Sequence, residues 1–318
     1  MDVIERLGNC GIVPVCVIEN ADNAPDTARA MAAGGIDAME ITMRTPAALD
    51  AIKNVARECP DVLVGAGTVL NLDDMKRCLE QGAKFIVSPG FDMKMAEYAL
   101  QNSIPYLPGC VTPTEIMRAI SCGLKIVKFF PANVYGGLKG MKALAAPFTG
   151  IKFMPTGGVN ADNVAEFLSA DFIHAVGGSW ICPKADVAAG NYSKITQLCQ
   201  EALTAAMGFE IAHIGINNPD PETAVAVSSA FQKAFGFSAR EGNSSIFASS
   251  QVEVMKSNYL GANGHIAVST CNVERALNYL SAKGFAPAPE TFKYKNGKLT
   301  AAYLKDDFGG FAVHLVKR

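Results

Sequence analysis

Two stretches of the chain set charged side chains where strand patterning predicts burial. KIVKFFPAN (residues 125–133) carries Lys128 inside an apolar, β-type run, and MEITMRT (39–45) carries Glu40. A charge taken out of water without a partner costs several kcal/mol or more, roughly tens in the Born limit, so each residue needs a chemical reason to be there. An amine removed from water favours its neutral form, which is the form that attacks a carbonyl. The resulting Schiff base is an electron sink, and an adjacent carbon–carbon bond then breaks or forms through an enamine. Such chemistry needs a second group to expel water from the carbinolamine and to move the proton of the substrate hydroxyl. Glu40 is the carboxylate inside a predicted strand of this region, and alternation puts Glu40, Thr42 and Arg44 on one face. Arg44, at the strand's end, has the planar fork that grips a carboxylate. Glu19, at the exit of the first strand, is a rival base on spacing alone. The structural alternatives are a lysine paired with a buried carboxylate and a rim ion pair between Glu40 and Arg44.

The elements that must hold these groups repeat one unit up to about residue 205: a short apolar strand, a polar turn and a helix. The predicted strands are VPVCVI (13–18), AMEITM (38–43), LVGAGTV (63–69), FIVSPG (85–90), YLPGCVT (106–112), IVKFFPA (126–132), KFMPTGGV (152–159) and IHAVGGSW (173–180). Their near-continuous hydrophobicity suits strands covered on both faces, as in a parallel sheet. Thr112–Glu115 reads as a capping box with Pro113 at the first helical position, and Thr45-Pro46 and Asn71 open two further helices. Gly34, Gly82 and Gly123 stand where helix-terminating glycines belong. A repeat of this length predicts an α/β fold of the (β/α)8 TIM-barrel type, with a doubly wound open sheet as its rival. Lys84, Lys125 and Lys152 each open a strand and should reach solvent, whereas Lys128 lies inside its strand, toward the carboxyl end where barrel active sites are built. PTGGV (155–159) and GGSW (177–180) end the last two strands; glycines there let backbone N–H groups approach a phosphate or carboxylate.

From Phe209 onward the pattern changes. FEIAHIGIN, a helix opened by Pro219–Glu222, and the short strands FSARE, SSIFAS and QVEVMK form one group. GHIAVST, a helix over 273–283, TFKYK, an Asn296-Gly297 turn, KLTAAYL and FAVHLV repeat the order. Two βαβββ modules, about 209–257 and 263–318, thus predict a smaller α+β domain, and the domain division expected is 1–207 and 208–318. Of the four histidines, His213, His265 and His314 fall in this tail. Ile214, Ile216, Val252, Val254, Ile266, Val268, Val313 and Leu315 alternate with His213, Glu253, His265 and His314. If the apolar set packs on the helices, the other four gather on the opposite face as candidate ligands for Zn²⁺, Fe²⁺, Mn²⁺ or Ni²⁺. The alternative is a metal-free domain that packs against the barrel or binds a small ligand, with Tyr259, Tyr294 and Tyr303 as ordinary half-buried residues.

Bulk composition narrows the partners. The 318 residues carry a formal net charge of −2, which gives no reason to expect a nucleic-acid or membrane-surface binder. No leader-like segment opens the sequence and no run approaches the roughly 20 apolar residues of a membrane span. The nine cysteines are scattered, without a C-x-x-C pair, and read as buried thiols in a reducing cytoplasm.

With MEITMRT, VGAGTVLN, FIVSPG, VKFFPA, MPTGGV and VGGSW in order, the first 205 positions resemble the 2-keto-3-deoxy-6-phosphogluconate (KDPG) and 4-hydroxy-2-oxoglutarate (KHG) aldolase family. The resemblance implies a class I aldolase that needs no cofactor and acts on a small keto acid. Lys128 would form the Schiff base and Glu40 would be the general acid/base. It further implies that Arg44 and Thr68 hold the pyruvate carboxylate end, that Pro89 and Phe130 line the pocket, and that Thr156, Gly157, Gly158, Gly178 and Ser179 bind phosphate. Products would be pyruvate with glyceraldehyde 3-phosphate or with glyoxylate, and members are usually homotrimers. Asn133 departs from the family, where many members carry Glu after FFPA, and this bears on the aldehyde preference. The competing class is a barrel that binds or isomerises a sugar phosphate without imine chemistry, with a separate metal-dependent activity in the tail. The tail itself resembles the vicinal oxygen chelate (glyoxalase-like) superfamily, with His314 where Glu is more common.

Overall fold

A computed structural model of the chain describes residues 2–318 and divides it into two compact units at Ala206/Met207. The first unit runs α1 (Val3–Cys10), β1 (Ile12–Cys16), α2 (Asn23–Ala33), β2 (Ala38–Thr42), α3 (Ala48–Glu58), β3 (Leu63–Gly67), α4 (Leu72–Glu80) and β4 (Ile86–Val87). It continues with α5 (Met93–Gln101), β5 (Tyr106–Leu107), α6 (Pro113–Ser121), β6 (Ile126–Phe129), α7 (Gly137–Ala145), β7 (Lys152–Pro155), α8 (Val164–Ser169), β8 (Val176–Gly178), α9 (Lys184–Ala189) and α10 (Tyr192–Met207). Six strands pair in the order β5-β4-β3-β2-β1-β8 and β6 pairs with β7, every pair parallel. Single bridges from Gly109 to Lys128 and from Thr156 to Gly177 link β5 to β6 and β7 to β8. The result is a TIM-barrel-like parallel sheet.

The inside of this sheet explains where the charged groups go. Val13, Ala38, Leu63, Phe85, Val87, Leu107, Ile126, Met154 and Ala175 pack together with Leu7 of α1 in one buried cluster. Two positions farther along the same strands come Glu40, Lys128, Thr156 and Gly177, so period-two alternation turns them to the same inner side. Lys84, Lys125 and Lys152 are exposed, as strand-opening lysines should be.

Several local expectations change. Thr45 does not cap a helix: its hydroxyl donates to the Ile18 carbonyl, and α3 begins three residues later at Ala48. Asn71 and Thr112 do cap, accepting from the N–H of Asp74 and Glu115, the latter in a full capping box. At the end of α2 it is Gly35, with φ +92°, that takes the left-handed turn, whereas Gly34 stays right-handed at φ −81°. Gly34 is small for another reason: a Cβ there would meet Cys199 Cβ at 2.4 Å. Strands β4 and β5 are shorter than their apolar runs, which continue into Pro89 and Pro108, whereas in β8 Gly177 and Gly178 stay in the ladder, paired with Val13 and Pro14 of β1.

The second unit is a mixed sheet of β9 (Glu210–Ile216), β10 (Arg240–Glu241), β11 (Ser245–Ser249), β12 (Val252–Met255), β13 (Gly264–Thr270), β14 (Pro287–Lys295), β15 (Lys298–Phe308) and β16 (Phe311–Lys317), with α11 (Pro221–Phe235) and α12 (Val273–Ser281). Its order is β10-β11-β12-β9-β13-β16-β15-β14. Asn296 and Gly297 both have positive φ, 51° and 74°, the conformation a two-residue hairpin turn requires. Val254, Val313 and Leu315 are buried as expected, but Ile214 is 40% exposed, and Ile266 and Val268 are half-buried. The cause is helix placement: α11 packs on β11 and β12 and α12 on β15 and β16, leaving the central β9–β13 pair between them less covered.

Candidate active site and metal-ligand cluster

Lys128 Nζ lies 3.3 Å from Glu40 Oε1, with the two side chains 5% and 0% exposed. The Phe130 ring stands 5.5 Å from the ammonium. Burying such a pair costs desolvation that only good geometry and further hydrogen bonds repay. Here the repayment is incomplete: Glu40 Oε2 and the hydroxyl of Thr156 are buried without any hydrogen-bond partner. An ammonium has three donors, and one is used on Glu40. A purely structural ion pair would close these valences. Open hydrogen-bonding capacity at the carboxyl ends of parallel strands instead suits a bound polar substrate.

The neighbours of the pair are shaped to admit it. A Cβ on Gly67 would lie 1.9 Å from Glu40 Oε1, so the glycine in β3 is what lets the carboxylate lie across that strand. A Cβ on Gly177 would meet Thr156 Oγ1 at 2.3 Å. The signal for Gly67 was present in the sequence, since a Gly-Ala-Gly run inside a strand marks close approach by a neighbour. Glu40→Gln keeps size but not proton transfer, and kcat should fall about 10²–10⁴-fold. Gly67→Ala should displace the carboxylate and lower kcat in the same direction while circular dichroism stays native. Steady-state kinetics that leave both variants near the parent rate would remove Glu40 from the reaction.

Arg44 lies beyond the end of β2 and is exposed, and its Nε donates to the Thr68 hydroxyl at 3.1 Å, so these two expected carboxylate holders do meet. Thr68 has φ +57°, a left-handed turn directly after β3. Glu19, the rival base, pairs instead with Lys184 of α9 at 2.5 Å, both side chains about half exposed. Pro89 sits in a turn anchored from below. Ser88 Oγ donates to the Gly90 carbonyl and bonds the Tyr106 hydroxyl at 2.8 Å, and burial pushes the Tyr106 phenol up to about 12. Sequence reasoning missed Ser88 and Tyr106, because nothing local marks a hydroxyl pair formed across two strands. Thr156 is buried, whereas Gly157 and Gly158 form a left-handed turn at φ +88° and +87°. Asn133 donates its N–H to the Gly157 carbonyl at 3.1 Å, and a Cβ on Gly158 would meet Asn133 Cβ at 2.5 Å. Gly178 is buried beneath the Trp180 ring and Ser179 is exposed.

In the second unit His213, Glu253, His265 and His314 come from β9, β12, β13 and β16, four strands adjacent in the sheet. His213 Nε2 is 3.1 Å from His265 Nε2, and Glu253 Oε2 is 3.1 and 3.2 Å from the two. The ligand atoms of the three histidines lie within 4.8 Å of one another. Two donor atoms each about 2.0–2.2 Å from one ion, at angles between tetrahedral and octahedral, lie roughly 2.9–3.5 Å apart. The spacings among His213, His265 and Glu253 fall in that range, and the three-histidine set spans up to 4.8 Å. His314 Nε2 and His265 Nδ1 are buried without a partner. Burial, with His265 and His213 nearby, pushes the His314 imidazole down to about 3, so it is neutral, the form that binds a metal. Burial works to raise the Glu253 carboxyl, but hydrogen bonds from His213, His265 and Ser245 together outweigh it and hold the group well below the usual carboxylate range. A Cβ on Gly215 would lie 2.0 Å from the His265 ring, so this glycine seats the imidazole. The donor set fits a divalent cation.

A buried lysine joined to a buried glutamate, at the carboxyl ends of a TIM-barrel-like parallel sheet, makes the first unit an α/β barrel-like domain with a buried acid–base pair. The family model for KDPG and KHG aldolase matches residues 3–198. The 2-dehydro-3-deoxy-phosphogluconate aldolase of Treponema pallidum (strain Nichols) is 42% identical over 201 residues, which cover 63% of this chain and 96% of that one. The KHG/KDPG aldolase of Escherichia coli (strain K12) is 41% identical over 195 residues, covering 61% and 92%. A crystal structure of KDPG aldolase from Legionella pneumophila, with pyruvate captured at low pH as a covalent carbinolamine, superposes with a TM-score of 0.61 at 36% identity, over 64% of this chain and 98% of that one. The chain belongs to the KDPG and KHG aldolase family.

Proposed function

We propose that the first unit is a class I aldolase, a lyase that cleaves KDPG to pyruvate and glyceraldehyde 3-phosphate, or 4-hydroxy-2-oxoglutarate to pyruvate and glyoxylate, on Lys128 within a closed (β/α)8 barrel. The observation that carries it is the buried Lys128–Glu40 contact of 3.3 Å with the second Glu40 oxygen left open. One proton passed across that contact gives a neutral amine and a protonated carboxyl. The amine adds to the keto carbon, and Glu40 returns the proton to the departing hydroxyl, which leaves as water from the carbinolamine. Glu40 then takes the proton of the substrate's C4 hydroxyl as the C3–C4 bond breaks. The bond's electrons move into the iminium to form an enamine, and the aldehyde leaves. Protonation of the enamine carbon and addition of water release pyruvate and restore the lysine. In this reading the Arg44–Thr68 pair would take the substrate carboxylate, and Thr156, Gly157, Gly158, Gly178 and Ser179 the far-end phosphate; the Arg44–Thr68 hydrogen bond and the left-handed Gly157–Gly158 turn support it. Asn133, packed on that turn, would influence which aldehyde is preferred. Borohydride with pyruvate tests the reading: a reduced pyruvyl adduct should map to Lys128, and a protein that takes no adduct does not run this chemistry.

A homotrimer is the assembly this reading expects. In its support, α5 and α6 leave Leu100 and Met117 61% exposed and Ile120 43% exposed, and the turn after β6 leaves Val134 71% exposed. Such apolar side chains suit contacts between copies. Light scattering of the purified chain should give three times the protomer mass, and a monomer mass at micromolar concentration removes the assembly. Among the described residues no helix is long and apolar enough to cross a membrane.

For residues 208–318 the reading is a glyoxalase-like domain that holds a divalent metal on His213, Glu253, His265 and His314. Three imidazoles and one carboxylate suit Zn²⁺, Fe²⁺, Mn²⁺ or Ni²⁺. The ion would act as a Lewis acid toward an oxygen of a bound ligand. Ser245, donating to Glu253 Oε1, and Gly215 would fix the orientation of the donors.

A further inference from the structure

The two halves of the second sheet correspond residue for residue around the cluster, and the correspondence breaks at one hydroxyl. Pairing of β9 with β13 sets His213 across from Ala267 and Gly215 across from His265, so a single shift in residue number carries His213 to His265 and Gly215 to Ala267. Glu253 lies beside Gly215 and His314 beside Ala267, which makes these two the corresponding donors. One strand farther out, Phe247 pairs with Glu253 and Tyr303 with His314. Directly paired residues point to the same side of a sheet, so both rings face the cluster. The Phe247 ring meets His213 edge-on at 5.6 Å between centroids. The Tyr303 ring instead lies flat on His314 at 4.5 Å and 13°, and 6.3 Å from His265. Phenylalanine would supply the same ring at this 7% exposed position, and the corresponding Phe247 meets its histidine without a hydroxyl, so the hydroxyl needs its own reason. A buried tyrosine hydroxyl ordinarily has a hydrogen-bond partner.

We propose that Tyr303 donates a hydrogen bond to the oxygen of a small anionic ligand held by the metal cluster, which makes this face a site for an oxyanion. The proposal rests on the metal reading of the cluster. The charge around it agrees. Arg240, paired with Phe247, and Lys293, paired with Ala301 on the Tyr303 side of β15, put a cation on each flank, against Asp307 on the same face. Tyr259, 53% exposed and 5.9 Å from the Tyr303 ring, stands at the solvent side. A metal alone gives an oxygen ligand a point of attachment; the phenol adds direction, so ligand and donor are matched on one wall only.

The test uses the full chain loaded with Co²⁺, whose visible absorption reports on its ligands, titrated with acetohydroxamate as the oxygen-donor probe. Tyr303→Phe keeps the ring, so Co²⁺ content and melting temperature should equal those of the parent. The dissociation constant of the probe should rise about tenfold, the effect of one hydrogen bond to a charged group. Equal dissociation constants at equal Co²⁺ content overturn the role of Tyr303 and leave the metal reading standing. A parent protein that shows no Co²⁺ band overturns the metal reading, and this proposal with it.

Discussion

Replacing Lys128 by alanine should lower kcat/KM for aldol cleavage by about 10⁴-fold or more, because the covalent route is lost and only binding and local polarity remain. Lys128→Arg should lose nearly as much, and it is the more informative variant. Arginine keeps the positive charge beside Glu40 and fills a similar volume, yet its guanidinium does not give up a proton and cannot form the imine. A barrel that used position 128 only for charge, as a sugar-phosphate binder or isomerase would, keeps its activity in the arginine variant. Imine chemistry loses it in both. Tryptophan fluorescence and melting temperature would check that each variant folds, since removing the lysine leaves Glu40 buried with neither oxygen bonded. Breaking a buried pair in this way costs about 3–5 kcal/mol, so the alanine variant should also melt earlier than the arginine one. Activity of the arginine variant within tenfold of the parent would mean that no amine nucleophile acts here.

The features legible in the sequence were those fixed by periodicity. Lys128 stands out because the strand around it is apolar on both faces, and burial of β6 at every position bears out that a charge there lies inside the sheet. His213, Glu253, His265 and His314 converge because each alternates with apolar neighbours on strands that turn out to be adjacent. What stayed hidden depends on the third dimension. Glu19 and Glu40 look equivalent from spacing, and only the packing shows Lys184 taking the first and Lys128 the second. Thr45 has the right type for a cap but finds the Ile18 carbonyl closer than the helix it precedes. Ile214 follows the same alternation as Val254, yet one is exposed and the other fully buried, because the pattern specifies a face of the sheet and not which strand the helix covers. Gly67 and Gly215 share one logic. Each is small because the Glu40 or His265 side chain from the neighbouring strand lies over it; the Gly-Ala-Gly run marks Gly67 as a close approach, but which side chain approaches becomes visible once the strands are paired.

The second large effect concerns the other unit, and it separates the two chemistries. If His213, Glu253, His265 and His314 hold a divalent ion, folding of residues 208–318 is linked to metal, since the unfolded chain keeps no such cluster. Saturation at 100 to 1,000 times the dissociation constant stabilises the folded form by about 2.7–4.1 kcal/mol. For a unit of this size each kcal/mol moves the melting temperature by roughly 4–8 °C, so chelation should lower the second unit's transition by about 10 °C or more. His213→Ala/His265→Ala should show the lower transition already and should not respond to chelator. Two further expectations make the result specific. Metal analysis of the parent should give close to one ion per chain and near none for the double variant. Aldol cleavage and the borohydride adduct on Lys128 should survive chelation unchanged, because the proposed mechanism on Lys128 and Glu40 needs no ion. Equal and negligible metal in both proteins, with melting curves that chelator does not move, would leave the histidines as a hydrogen-bonded packing cluster. In that case the short contacts of Glu253 with His213 and His265 would need only a shared proton to hold them. Loss of aldol activity on chelation would instead tie the metal to the barrel reaction, which the lysine mechanism does not allow.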